Sequence, residues 1–239
     1  GCTLDKVINV TGSDTIKITG GTDKNNLHKL VAAPDKRNFE INKACTLHLS
    51  YVNLTCHNTR HGGISTWGNV YIKTVHFYGG YDDDASYPTP NAELGGAIYV
   101  AKDGVVPQLV ISDSMFKNLR AGKSGGAVYA TGAGTNVSIG SSTFESNVAN
   151  DFYNYPAAKG GGAIYASEGA QVTVDDSTFV TNLGRGGGAV ALETSESSTD
   201  LTRGDFTSCT FESNTAAHFE DGTSYDENGG GIWSKTSLI

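Results

Sequence analysis

A short phrase recurs along this chain and constrains its fold more than any other feature. Gly-Gly-Ala-Ile/Val-Tyr occurs at 95–99, 125–129 and 161–165, with looser copies at 187–191 and 229–233. A second phrase, Phe-x-x-Asn, falls between these copies at 144–147, 179–182 and 211–214. Repeats a few tens of residues apart are typical of a solenoid, in which each unit covers the apolar face of its neighbour.

A longer alternating pattern appears when the copies are aligned on the phenylalanine. Apolar or small residues alternate with polar ones and a two-residue gap interrupts them, as at 137–144 and 172–179. A period of two predicts strands with one buried face, and the gap predicts a corner between two strands. The Gly-Gly segment adds a third strand. The sequence therefore predicts an all-β fold, a single-stranded parallel β-helix of about six coils with three short strands per coil.

The repeat also predicts how the chain is divided. Residues 39–239 are expected to form the β-helix, and residues 1–38, which fit the repeat poorly, an N-terminal cap or a leading coil. A solenoid normally needs a polar terminal cap, but the repeat runs almost to the last residue. We expect a fragment of a longer protein, or a C-terminal coil that packs on another copy or another domain of the parent protein.

Composition excludes several classes of function. The net charge of -8 argues against nucleic acid as a partner, because phosphate binding needs a basic surface. No apolar run approaches the ~20 residues of a membrane span. The four cysteines are scattered and lie at no metal-ligand spacing, so neither a metal nor a cofactor is predicted. Asn9, Asn53 and Asn136 begin glycosylation sequons, which are either sites of a secreted glycoprotein or chance triplets.

The two phrases together resemble the repeat of the chlamydial polymorphic membrane proteins. Residues 144–149 read Phe-Glu-Ser-Asn-Val-Ala and are followed by Gly-Gly-Ala-Ile at 161–164. The resemblance covers about residues 95–233. It implies a right-handed parallel β-helix of the pectate-lyase-like kind, a secreted or cell-surface location, and a role in adhesion.

Strand parity separates scaffold from candidate ligand-binding residues. In the strand that follows each Gly-Gly pair, alternate positions such as Ile98 and Val128 are apolar and are expected to face inward. The tyrosine of each phrase is therefore expected to face outward. The predicted outer row consists of Tyr99, Tyr129, Tyr165 and Trp233, with a gap at Ala191. A row of cations, two residues before the Gly-Gly pair, consists of Lys123, Lys159 and Arg185.

Together these rows would bind a polysaccharide or a glycoprotein through ring stacking and charge pairing. The interpretation favoured over this one is that the rows are ordinary solvent-facing ladders, or a packing surface for another part of the protein. The remaining repeat positions are interpreted as scaffold. Asn147, Asn182 and Asn214 are expected to stack as an amide ladder that satisfies the backbone at a corner. Ser114, Ser142, Ser177 and Cys209 share one inward position and are expected to form a buried stack.

The sequence favours an extracellular, non-enzymatic β-helix that acts as a structural or adhesive module. The alternative is a carbohydrate-active enzyme, a polysaccharide lyase or uronate epimerase. Asp113 and Asp176 share a corner position two coils apart, roughly 9–10 Å from the strand spacing, at the upper limit for an inverting carboxylate pair. An enzyme would gather Asp, Lys, Arg or His from adjacent coils into one cleft, whereas the sequence scatters them.

Overall fold

The computed structural model describes residues 2–4, 6–32, 36–56, 62–79, 92–149, 160–195, 199–220, 223–226 and 230–235. All the regular elements in these ranges are β-strands, which confirms the all-β prediction. The same residues contain no helix of the length and hydrophobicity needed to cross a membrane.

The strands are short and follow one another along the whole described chain. The first half contains β1 (Cys2–Leu4), β2 (Ile8–Val10), β3 (Thr15–Thr19), β4 (His28–Ala32), β5 (Phe39–Ile41), β6 (Thr46–Cys56), β7 (Ile64–Thr66), β8 (Asn69–Gly79), β9 (Ala92–Leu94), β10 (Ile98–Ala101), β11 (Gln108–Ser112), β12 (Met115–Lys117) and β13 (Arg120–Ser124). The second half contains β14 (Val128–Thr131), β15 (Asn136–Gly140), β16 (Thr143–Glu145), β17 (Val148–Ala149), β18 (Ile164–Ser167), β19 (Gln171–Asp175), β20 (Thr178–Val180), β21 (Leu183–Gly184), β22 (Val190–Glu193), β23 (Arg203–Thr207), β24 (Thr210–Glu212), β25 (Thr215–Glu220), β26 (Thr223–Asp226) and β27 (Ile232–Lys235).

Three sheets run along the molecule, and each coil contributes to them in turn. The first sheet has the order β2-β5-β7-β10-β14-β18-β22-β27, one strand from each coil. The second sheet contains β11, β15, β19 and β23 on one side of a corner and β12, β16, β20 and β24 on the other. The third has the order β26-β25-β21-β17-β13-β9. Pairing is parallel between successive coils, which confirms the predicted parallel β-helix.

The N-terminal strands continue the same architecture. β2 pairs in parallel with β5 in the first sheet, and β3 and β4 pair in parallel with β6 in the second. Residues 8–32 thus stack one further coil on the repeats recognised in the sequence.

The core is a set of columns, because equivalent residues of successive coils lie in exact register. Ile98, Val128, Ile164 and Val190 form one such column, and all four are fully buried. A column of phenylalanines is formed by Phe77, Phe116, Phe144, Phe179 and Phe211, whose ring centroids are 4.6–4.8 Å apart. The pattern repeated within each coil therefore produces continuous stacking rather than an irregular core.

The two-residue gap is the predicted corner, and it contains one residue in the left-handed region. Asp113 has φ of 50° and Asp176 has φ of 47°. The equivalent residues of the other coils are Tyr51, Thr74, Ser141 and Ser208, and all have positive φ. A second left-handed residue precedes the asparagine of Phe-x-x-Asn, as at Ser146.

The Gly-Gly pair is required by the close approach of neighbouring coils. A Cβ atom on Gly126 would overlap the carbonyl oxygen of Gly162 in the following coil, and one on Gly96 would overlap that of Gly126. A larger residue would separate the backbones at this point, so the glycines belong to the scaffold.

The asparagines form the predicted amide ladder. Asn147 Nδ2 donates to Asn182 Oδ1 over 3.0 Å, and Asn182 Nδ2 donates to Asn214 Oδ1 over 2.9 Å. Asn147 and Asn182 are fully buried, and their Nδ2 atoms also donate to the carbonyl oxygens of Phe116 and Phe144. The ladder prediction is confirmed.

The serines form the second predicted stack. Ser142 Oγ donates to Gly140 O over 2.8 Å and accepts a hydrogen bond from Ser114 N over 3.1 Å. Ser177 Oγ accepts in the same way from Ser142 N. Each hydroxyl therefore satisfies backbone groups of two coils, which is a structural role. Cys209, in the same position of a later coil, is half-buried.

Candidate functional site

The predicted outer row of tyrosines exists, and its rings stack on one another. Tyr99, Tyr129 and Tyr165 are paired in register on β10, β14 and β18. The ring centroids of Tyr99 and Tyr129 are 5.5 Å apart, and those of Tyr129 and Tyr165 are 5.2 Å apart. Interplanar angles of 7° and 19° show that the rings are nearly parallel. The ring faces are turned toward one another, so the row presents mainly ring edges and hydroxyl groups outward.

Exposure decreases along this row. Tyr99 and Tyr129 are half-buried, whereas Tyr165 is only 8% exposed. Tyr165 Oη donates to Glu193 Oε2 over 2.6 Å. Burial raises the pKa of the Tyr165 phenol, and the Glu193 carboxylate raises it further. Burial also raises the pKa of Tyr129. Both phenols therefore stay protonated at neutral pH and can donate hydrogen bonds.

The two ends of the row differ. Trp233 is in register with Ala191 on β22, so the predicted gap lies between it and Tyr165. At the other end, Trp67 meets the ring of Tyr99 edge-on, with centroids 6.4 Å apart. Trp67 lies just beyond β7 rather than within the strand, which is why strand parity did not find it.

The predicted cations have different environments. Lys123 Nζ lies 3.5 Å from Glu93 Oε2, the residue at the equivalent position of the preceding coil. Arg185 is only 5% exposed. Lys159 lies outside the described residues. Of the two cations that the structure describes, Lys123 is therefore partly neutralised and Arg185 is largely covered by other residues.

The three sequon asparagines also differ in accessibility. Asn9 and Asn136 are exposed, on β2 and β15. Asn53 is half-buried on β6, and its Oδ1 atom is shielded from solvent without a hydrogen bond. Asn9 and Asn136 are the more accessible candidates for glycosylation.

The described residues contain no group of three or more His, Cys, Asp or Glu side chains that could hold a metal ion. Cys45 and Cys56 are buried thiols, and burial raises the pKa of Cys56 to about 12.

The carboxylates considered for the enzyme alternative lie at equivalent corners. Asp113 and Asp176 are both exposed and both left-handed, and Ser141 occupies the same corner on the coil between them. Ser141 Oγ donates to Asp176 Oδ2 over 3.2 Å. The side chain of Ser141 therefore lies beside Asp176, on the coil that separates the two carboxylates. The carboxylates do not face each other across an empty cleft.

The family comparison agrees with this architecture. The model of the Chlamydia polymorphic membrane protein repeat matches residues 141–167 and 208–235. Each match begins at the left-handed corner, passes through Phe-x-x-Asn and ends on a strand of the first sheet. Searches of curated proteins and of solved structures gave no match. The resemblance expected from the sequence is thereby confirmed: the chain carries the Chlamydia polymorphic membrane protein repeat at two places, which indicates a surface or outer-membrane protein.

Proposed function

We propose that this chain is an extracellular, non-enzymatic β-helix that acts as a structural or adhesive module. The observation that carries the proposal is that the repeat has inward side chains with structural roles and, in most copies, an outward aromatic side chain. The Phe column fills the core, and the Asn and Ser columns hydrogen-bond to the backbone. The tyrosines repeat in the same way but face outward. A rigid rod with one regular aromatic edge suits repeated contacts with an extended partner.

The partner that fits this edge is a polysaccharide or a glycoprotein. Phenol hydroxyls and the Lys123 ammonium group would hydrogen-bond to sugar hydroxyls or carboxylates, while ring edges pack against the sugar. Other copies of the chain, or other domains of its parent protein, are further partners, through the last described coil, which contains β23, β24, β25 and β27.

A glycan-array screen tests this proposal. The test variant combines Tyr129→Phe, which keeps the stack and removes one hydroxyl, with Lys123→Ala. The matched control combines Tyr71→Phe with Lys117→Ala on the second sheet, where Lys117 Nζ pairs with Glu145 Oε1 at similar exposure. We expect the test variant to lose binding and the control to keep it. Equal binding by both variants, or no binding by the wild type, would contradict the proposal.

The enzyme alternative, a lyase or epimerase acting on uronic-acid polymers, retains one supporting observation. Asp113 and Asp176 are exposed at equivalent corners of the same face. Incubation with alginate, pectin and polygalacturonate tests it, with new unsaturated ends as the product of a lyase and a changed uronate composition as that of an epimerase. No turnover on any of them removes the alternative.

A further inference from the structure

An open groove of about 440 Å³ lies away from the tyrosine row, at the corner of the second sheet. Its floor contains Tyr51, Lys73, His76 and Asp113, and Asp23 and Lys24 belong to its wall. The volume falls within the roughly 300–1,000 Å³ typical of small-ligand sites. Residues that are up to 90 positions apart in the sequence meet here, so the sequence repeat did not reveal the groove.

The floor is built by the regular stacking of three coils. Tyr51, Thr74 and Asp113 are the left-handed corner residues of successive coils. Lys73 and His76 flank Thr74 on the two sides of the corner, and the neighbouring pairs Ser50–Lys73 and Lys73–Ser112 are in register. The scaffold therefore fixes the positions of these side chains.

The wall is a turn in the coil that precedes this floor. Asn25 N donates to Asp23 Oδ1 over 2.8 Å, and Asn26 N donates to Asp23 O over 3.2 Å. These bonds hold the turn between β3 and β4 beside the corner. Equivalent corners farther along the second sheet, such as the one at Asp176, are two-residue gaps and have no such wall. The groove is therefore a local feature and not a property of every coil.

The chemistry of the groove suits a ligand with many hydroxyls and no net charge. Two lysines and two aspartates supply positive and negative charges in equal number, so an anion or a cation would meet repulsion as well as attraction. Burial lowers the pKa of His76, which leaves the imidazole uncharged at neutral pH. The rings of His76 and Tyr51, both half-buried, add apolar surface for the carbon side of a sugar ring.

We propose that this groove binds a short segment of a neutral polysaccharide, independently of the tyrosine row. Sugar hydroxyls would donate to the carboxylates of Asp23 and Asp113 and accept from the ammonium groups of Lys24 and Lys73. Hydrogen bonds in which one partner is ionised are stronger than those between neutral groups. A sugar hydroxyl can make them with both kinds of group, because it can donate to a carboxylate and accept from an ammonium group.

Calorimetric titration with defined hexasaccharides tests this proposal. The neutral probes are cellohexaose, mannohexaose and xylohexaose, and the acidic probes are hexamers of polygalacturonate and alginate. Asp113→Asn keeps the shape of the side chain and removes its charge. Asparagine also adopts the left-handed backbone of this position readily. Asp176→Asn is the matched control, because it makes the same change at the same corner outside the groove.

We expect at least one neutral hexasaccharide to bind, and Asp113→Asn to weaken it about tenfold, as for the loss of one charge-assisted bond. Asp176→Asn should bind it like the wild type, and the loss caused by Asp113→Asn should be the same in the Tyr129→Phe/Lys123→Ala background, which separates this groove from the tyrosine row. Binding should also shift the backbone amide signals of Thr74 and His76 in NMR spectra. No binding of any neutral probe, preference for the acidic probes, or equal effects of the two Asp→Asn changes would overturn the proposal.

Discussion

Asn182 connects three coils through one side chain. Its Oδ1 accepts hydrogen bonds from the backbone N and the Nδ2 of Asn147, both over 3.0 Å. Its Nδ2 donates to the carbonyl oxygen of Phe144 and to Oδ1 of Asn214, both over 2.9 Å. Asn147 stands one coil before and Asn214 one coil after, so the amide lies in the middle of a hydrogen-bonded row. These hydrogen bonds, which need both a donor and an acceptor on the same side chain, explain why asparagine recurs at this position of the repeat.

Replacing Asn182 with alanine should therefore lower the free energy of unfolding by about 3 kcal/mol, since each buried polar group left without a partner costs about 1–3 kcal/mol. Urea denaturation followed by circular dichroism measures this change. Asn136→Ala, at an exposed position on β15, is the control and should change the free energy by about 0.5 kcal/mol or less. Similar effects of the two substitutions would show that the ladder is not a stabilising element.

At the scale of elements, the phenylalanine column joins the strands on one side of the corner. Phe144 on β16 is fully buried, with ring neighbours at 4.7 Å on β12 and 4.8 Å on β20. Phe211 on β24 is half-buried and stacks on Phe179 at 4.8 Å. The same residue type in the same repeat position thus has two different environments.

This difference predicts different costs of truncation. Phe144→Ala should destabilise the protein by about 3–5 kcal/mol, the usual cost of removing a buried aromatic ring. Phe211→Ala should cost less than half as much, because its ring is only partly removed from water. Paired urea titrations compare the two variants. If both cost the same, the burial of each ring is not what determines its contribution to the stability of this column.

At the scale of the whole molecule, each coil is stabilised mainly by the coils on either side of it. In the coil of residues 8–32, the inward-facing Ile8, Ile16 and Ile18 are half-buried. In the middle coils, Leu109 and Val137 are fully buried. The first described coil is therefore less well supported than those in the middle.

Hydrogen exchange followed by mass spectrometry should show this gradient. Amides of β2 and β3 should exchange faster than those of β11 and β15, because the less buried coil opens at a lower free-energy cost. Strand β14, in which Val128 and Ala130 are fully buried, serves as an internal reference within the same experiment. Uniform exchange across all coils would mean that the helix opens only as a whole.

Much of the fold could be predicted because the repeat records it in every coil. The inward column of Ile98 and Val128, the Asn147 ladder and the outward parity of Tyr129 all follow from a period of two and a fixed corner. The left-handed conformation of Tyr51 and Thr74 could not be predicted, because neither residue type favours it. Stacking on the neighbouring coils imposes that backbone, and the sequence at those two positions does not show it.

The candidate site was predictable to a lesser extent. The tyrosine row was found from parity alone, but its face-to-face stacking turns the rings edge-outward, and this depends on the coil spacing. The burial of Tyr165 depends on Glu193, which belongs to the following coil. The groove depends on a turn at Asp23 that approaches corners at Thr74 and Asp113.

The sequence by itself determined the β-helix, the direction in which each repeated side chain points, and the resemblance to the polymorphic membrane protein repeat. These properties are local, because they follow from alternation and spacing within one coil. The tertiary structure decided which outward side chains remain accessible, which charges are paired, and where a groove forms. These depend on distances between coils and on the turn between β3 and β4, which departs from the repeat, and a periodic sequence does not encode such contacts in any single copy.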